Sequence, residues 1–148
     1  MELLGLLAYA FIAGALLPVQ SGLNMQLAKN LGHPLWGALA SFCVGTLLLA
    51  VYALLTGVRL PSPLQLSSSP YWMWIGGAFG AFFVATAVIV SPRLGAATSV
   101  ALFVAGQLVM SVLLDHYGAV GFPTHPLNIW RVLGTVLIVV GVVLIRLF

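Results

Sequence analysis

Three polar side chains recur at four-residue intervals in one otherwise apolar stretch. In LGAATSVALFVAGQLVMSVLLDHYG, residues 94–118, they are Gln107, Ser111 and Asp115. At i, i+4 and i+8 they share one face of a helix. Amides and hydroxyls both donate and accept hydrogen bonds, and a carboxylate can carry a proton. The stripe therefore has the chemistry to hold a small polar solute and to couple its movement to protons. A second stripe follows Pro18, where Gln20 and Asn24 are four apart, with Ser21 and Gly22 beside them. Proline there removes a backbone hydrogen bond and predicts a kink or hinge. Transporters build substrate sites beside such interrupted helices. Amides also serve as glue between helices, at about 0.6 kcal/mol per bond. The substrate site is the reading carried forward, with Gln20, Asn24, Gln107 and Ser111 as contacts.

Asp115 has three readings. It could be a proton-coupling carboxylate, it could pair with Arg131 across the following loop, or it could sit hydrated at a helix end beside Gly118. A metal site from Asp115, His116 and His125 matches no ligand spacing and is discounted. Catalysis fails on inventory. The chain has two acids, Glu2 and Asp115, so no carboxylate pair is available at membrane depth. All three histidines read as loop residues, leaving no base within reach of a serine in a span. No phosphate-binding glycine loop or zinc motif is present. The expectation is a non-enzyme without cofactor or metal.

The elements that must position these residues are membrane helices. Of 148 residues 62% are hydrophobic and 5% charged, with a mean hydropathy of +1.18. Soluble domains carry about 25% charged residues, so a soluble fold is excluded. The net charge of +3 comes from five isolated cations, which read as membrane anchors and not as a nucleic-acid surface. The single Cys43 excludes an internal disulfide. Ala8-Tyr9-Ala10 has the look of a signal-peptide cleavage site. No positive n-region precedes it, though, and the apolar run continues to Val19, so the segment is kept as a span.

Five spans are expected in one membrane domain covering 1–148, at about 3–28, 34–55, 70–90, 94–117 and 128–147. The first ends at Lys29-Asn30-Leu31-Gly32, a cation followed by a C-cap glycine. The second begins at His33-Pro34. Residues 56–69 (TGVRLPSPLQLSSS) read as the main polar loop, and the third span is expected to stop at Ser91-Pro92-Arg93. From Leu94 to Leu114 there are 21 residues without a charge, enough to cross a bilayer core of about 30 Å. Centring the first span near Ala15 puts Gln20 about 7–8 Å from the midplane. Trp36, Trp72, Trp74 and Trp130 all lie near span starts, where interfacial aromatics belong. Glycines at helical spacing, Gly76, Gly77 and Gly80 in the third span and Gly134 and Gly141 in the fifth, suit close helix packing, within the chain or between two copies.

Orientation is nearly balanced. With the N-terminus outside, Lys29, Arg93 and Arg146 fall on cytoplasmic ends and Arg59 and Arg131 on outer ends. Three against two is almost no bias under the positive-inside rule. A fixed topology and dual insertion are equally served by charge counts alone.

Taken together, GALLPVQSGLNMQLAKNLGHPLWGALASFCVGTLLL, WIGGAFGAFFV, PRLGAATSVALFVAGQLVMSVLLDHYG and RVLGTVLIVVGVVLI resemble the small five-span YdcZ-like family of the drug/metabolite transporter superfamily. The likeness covers nearly the whole chain. Its most specific pieces are Gln20 with Asn24, Pro92-Arg93-Leu94-Gly95, Gly106-Gln107-Leu108 and Asp115-x-x-Gly118. The resemblance implies an all-α membrane protein that is half of a ten-span inverted-repeat transporter. It implies pairing as an antiparallel homodimer, which tips the topology toward dual insertion. Gly134 and Gly141 are similar to the dimerisation helix of the small multidrug resistance transporters. Those relatives carry a glutamate embedded in their first helix, whereas Gln20 and Asn24 stand in the first span here. That departure suits a neutral or zwitterionic substrate over a cationic drug.

The expected function is secondary transport or export of a small polar or amphipathic metabolite, by alternating access, in the inner or plasma membrane of a prokaryote. The expected partners are the lipid bilayer, the substrate and a second copy, with no nucleic acid. The alternatives are a non-transporting membrane subunit that assembles with a partner protein, and a passive channel.

Overall fold

A bilayer offers no partners to exposed peptide groups, so an apolar chain that crosses it must satisfy its backbone within helices. The computed structural model describes residues 2–148, apart from the Glu2 side chain. Among the described residues six α-helices follow one another: α1 (Glu2–Asn30), α2 (Pro34–Leu55), α3 (Pro63–Ser68), α4 (Gly76–Leu94), α5 (Ala96–Tyr117) and α6 (Ile129–Leu147). Short 3-10 turns occupy Tyr71–Ile75 and Ala119–Gly121. All helices but α3 belong to five segments long and apolar enough to cross a membrane: Leu3–Asn30, Pro34–Leu55, Tyr71–Leu94, Ala96–Tyr117 and Ile129–Leu147.

The chain forms two compact units, residues 1–92 and 93–148. In the first, α1 and α2 pack as a helical hairpin. The turn between them leaves α1 through Gly32 at φ +80°. It enters α2 through His33, whose Nδ1 accepts the backbone N–H of Leu35 at 3.2 Å, with Pro34 in the first helical turn. That proline needs no N–H partner and arrives with a helical φ. The hairpin closes tightly at Gly37. A Cβ on Gly37 would run into the backbone carbonyl oxygen of Asn24 and come within 2.9 Å of the Ala28 Cβ. Only glycine allows the two backbones this separation. Asn24, Ala28, Gly37 and Ala38 are accordingly buried. α4 meets α1 through a hydroxyl contact, Ser21 Oγ to Ser91 Oγ at 3.3 Å. It approaches α2 where the Phe42 ring lies beside Gly80, 3.6 Å from the place a Cβ would take. Gly76 and Gly77 face open space, so of the expected glycine face only Gly80 takes a neighbour.

In the second unit α5 and α6 form another packed hairpin. Arg131, Thr135 and Val142 turn inward along α6. Thr135 Oγ1 donates to the Arg131 carbonyl at 2.9 Å, satisfying its hydroxyl within the helix.

Three expectations are corrected. The polar stretch 56–69 contains α3, because Ser62-Pro-Leu-Gln65 is a capping box. The Ser62 N–H donates to Gln65 Oε1 at 2.8 Å, and the Gln65 N–H donates to Ser62 Oγ at 3.3 Å. Pro92 does not stop the third long helix, which continues to Leu94. Lying in the last turn, it deletes one intrahelical bond, and its fixed φ suits the helix. His116 is not a loop residue but stands in the last turn of α5.

The Gly37 contact makes a prediction. Gly37→Ala should lower thermal stability in detergent by about 1–3 kcal/mol, the usual cost of overpacking. Gly45→Ala on the same helix, where a Cβ meets nothing within 4 Å, should be neutral or stabilising. Equal melting behaviour of the two variants would refute the close approach.

Candidate functional site

The polar residues of the two sequence stripes fall one group in each unit. On α1, Gln20 Nε2 donates to Ser41 Oγ of α2 at 3.4 Å. One turn on, Asn24 is only 8% exposed, held under the Gly37 contact. Pro18 lies within α1, which stays helical on both sides of it. The Gln20 and Asn24 stripe therefore runs along the α1–α2 seam, with the Ser21–Ser91 contact beside it.

On α5 the stripe is arranged differently. Gln107 stands at the middle of the helix, and both it and Ser111 are exposed. An exposed amide at the centre of a spanning helix is costly in lipid, so such groups face protein or a water-filled cavity. Gly134 and Gly141 also leave room on α6, since a Cβ at either meets nothing within 4 Å.

Asp115, the third member of the stripe, has a partner. Its carboxylate Oδ2 accepts from the Arg131 Nη2. The pair is partly open, with side-chain exposures of 25% for Asp115 and 28% for Arg131. Arg131 also donates through Nη1 to the His125 carbonyl at 2.6 Å. Its backbone N–H is capped by Asn128 Oδ1 at 2.9 Å, which starts α6. The Asp115 carbonyl accepts the His125 N–H at 2.7 Å, and His116 Nδ1 accepts the Leu127 N–H at 3.2 Å. α5 ends on Gly118 in the left-handed conformation, φ 59°, where a side chain would strike the Thr124 hydroxyl. These bonds fasten the loop between α5 and α6 around one ion pair. The pair borders an open cleft of about 390 Å³ shared with His125, Pro126 and Asn128. Of the three sequence readings of Asp115, the geometry supplies the pair with Arg131.

His125 is occupied in the same loop, its Nδ1 lying 3.1 Å from the Pro123 carbonyl, to which it donates. Among the described residues no group of His, Cys, Asp and Glu is placed to hold a metal.

Three residues escaped the sequence reading. Ser41 and Ser91 are the partners of the α1 stripe, and Ser99 near the start of α5 is 1% exposed with no hydrogen-bond partner for its Oγ. A lone serine in an apolar run carries no periodic signal, because it is small enough to sit on any helix face. Only spatial neighbours distinguish it.

Five helices long and apolar enough to span a membrane define an integral, multi-pass membrane protein. The family described as "Putative inner membrane exporter, YdcZ" matches residues 5–144, and the chain belongs to that family. It is 31% identical over 135 residues to "Inner membrane protein YdcZ" of Escherichia coli (strain K12), covering 91% of this chain and 90% of that protein. No solved structure matches. The resemblance read from the sequence motifs is thus met, and the family's description points to membrane transport.

The ion pair can be weighed by a double-mutant cycle. Asp115→Asn and Arg131→Gln should each destabilise by an amount between the ~1 kcal/mol of an exposed pair and the ~3–5 kcal/mol of a buried one. The double variant should lose clearly less than the sum. Strictly additive losses in thermal unfolding would show that the two side chains do not act together.

Proposed function

We propose that this chain is a secondary transporter that exports a small polar or amphipathic metabolite by alternating access. It works as an antiparallel, dual-topology homodimer in which each copy supplies one half of a ten-span inverted repeat, and each copy acts as one membrane domain. The reading rests on one observation above others: Gln107 stands exposed at the middle of an apolar spanning helix, with Ser111 exposed one turn further on. Groups of this kind require a protein or aqueous partner at that depth. A substrate cavity shared with a second copy supplies one.

In this reading Gln20, Asn24, Gln107 and Ser111 contact the substrate. Their amides and hydroxyls offer donors and acceptors without net charge, which suits a neutral or zwitterionic solute. Pro18 is the hinge of α1, and the open face at Gly134 and Gly141 packs the two copies together. Asp115 is the candidate for coupling. Its bond to Arg131 would have to open and close with the transport cycle for that role. The membership in an exporter family supports transport over catalysis.

The test is movement of radiolabelled neutral and zwitterionic metabolites in proteoliposomes holding only this chain. Gln107→Ala should reduce transport about five- to tenfold, the worth of one substrate hydrogen bond, without lowering dimer content. Silence across the panel, together with a co-purifying protein, would replace the transporter by a non-transporting subunit. Flux without saturation or counter-transport would make it a channel. For topology, a reporter fused to Phe148 should be active on both sides of the membrane. A one-sided signal that survives moving an arginine across a span would overturn the antiparallel homodimer.

A further inference from the structure

The loop from α5 to α6 turns back on the helix it left, and two of its backbone N–H groups end on neighbouring residues in the last turn of α5. The His125 N–H donates to the Asp115 carbonyl at 2.7 Å, and the Leu127 N–H donates to His116 Nδ1 at 3.2 Å. The first acceptor is a peptide oxygen and is present at every pH. The second is an imidazole nitrogen, which accepts only while it carries no proton. A backbone N–H can only donate, so the bond itself assigns the ring. His116 is neutral here, with its one proton on Nε2.

The other histidine of the loop is wired the opposite way. His125 Nδ1 donates to the Pro123 carbonyl, and a second proton taken up at Nε2 leaves that bond intact. A second proton on His116 goes to Nδ1, where it meets the Leu127 N–H. The bond is then lost and two donors face each other. The titratable and charged groups gathered around His116 are few. Asp115 and Tyr117 flank it on α5, the Tyr117 ring meeting the imidazole edge-on at 4.7 Å between centroids. His125 comes from the loop and Arg131 from α6, while the turn 119–121, also packed on α5, brings no charge. Asp115 is the one acid of residues 93–148, and a charged His116 has to share it with Arg131.

More than one bond hangs on Leu127. Two residues before it, the His125 carbonyl accepts Arg131 Nη1. The residue after it, Asn128, caps α6 through the Arg131 N–H. The bond to His116 therefore ties the start of α6 to the end of α5.

We propose that His116 is a pH-sensitive latch: neutral, it fastens residues 125–128 to the end of α5, and charged, it releases them and loosens the seat of Arg131. Histidine is the side chain whose charge changes between about pH 5 and 8. The latch is closed on the alkaline side of that window and open on the acid side. It is confined to residues 115–131 and does not rest on the transport reading.

The test is hydrogen–deuterium exchange of the full chain in lipid nanodiscs at pH 8 and pH 5, read at single amides and corrected for the chemical exchange rate at each pH. Protection of the Leu127 amide should fall about fivefold at pH 5, the worth of one hydrogen bond, while amides in the middle of α5 and α6 keep theirs. His116→Asn places a carbonyl oxygen where Nδ1 stands, an acceptor that does not titrate, and should keep Leu127 protected at both pH values. His116→Phe has no acceptor and should leave Leu127 unprotected at both; should it not fold, His116→Asn carries the test by itself. No pH response in the wild type, or a response that survives His116→Asn, would overturn the latch. Leu127 protection at pH 8 that is equal in the wild type and His116→Phe would do the same. So would a loss of protection spread evenly over α5 and α6, which is general acid unfolding. The readout is amide protection, so loss of transport in Gln107→Ala bears on the transporter reading alone.

Discussion

The bilayer's refusal to solvate polar groups governs every level of this protein. Backbone N–H and C=O groups must be paired within each helix, so the long segments are helical despite Pro18 and Pro92. The same rule makes each polar side chain at depth informative. Gln20 answers it through Ser41, and Ser21 through Ser91. Gln107 and Ser111 remain exposed.

Close approach between helices is achieved by subtracting side chains. Without a hydrophobic drive between helices in lipid, contact depends on dispersion and on backbones coming near one another. Gly37 against Asn24 and Ala28 achieves this in the α1–α2 hairpin, while Ala87, Val88 and Ala105 are other small or medium side chains that become buried. The second hairpin is held at its loop instead. There Asp115 and Arg131 gather His125, Asn128 and the end of α5 into one bonded node. The ionic fastener sits at the helix ends, where partial hydration lowers the desolvation cost of both charges.

The carboxylate that drew attention by its rarity is thus engaged in architecture, bonded to Arg131 at the helix ends. A charge at a membrane edge has inexpensive structural uses, but an amide at the centre of a span has few.

The sequence by itself determined the class, the number of long helices and the family. Those follow from hydropathy, from the interfacial tryptophans and from motifs such as Gln20 with Asn24 and Gly106-Gln107-Leu108, all of which are local. Even the six-residue α3 was legible in Ser62-Pro-Leu-Gln65, though the Pro and Ser content of residues 56–69 reads as loop. The tertiary structure alone decided that Asp115 joins Arg131, that Ser41 and Ser91 serve the α1 stripe, and that Gly37, not the more regular glycines at 76 and 77, marks a helix contact. Periodicity says which residues share a face but not what that face meets. In a membrane nearly every face is apolar, so the hydrophobic pattern that ranks helix faces in soluble proteins has little contrast here, and packing must choose the partners.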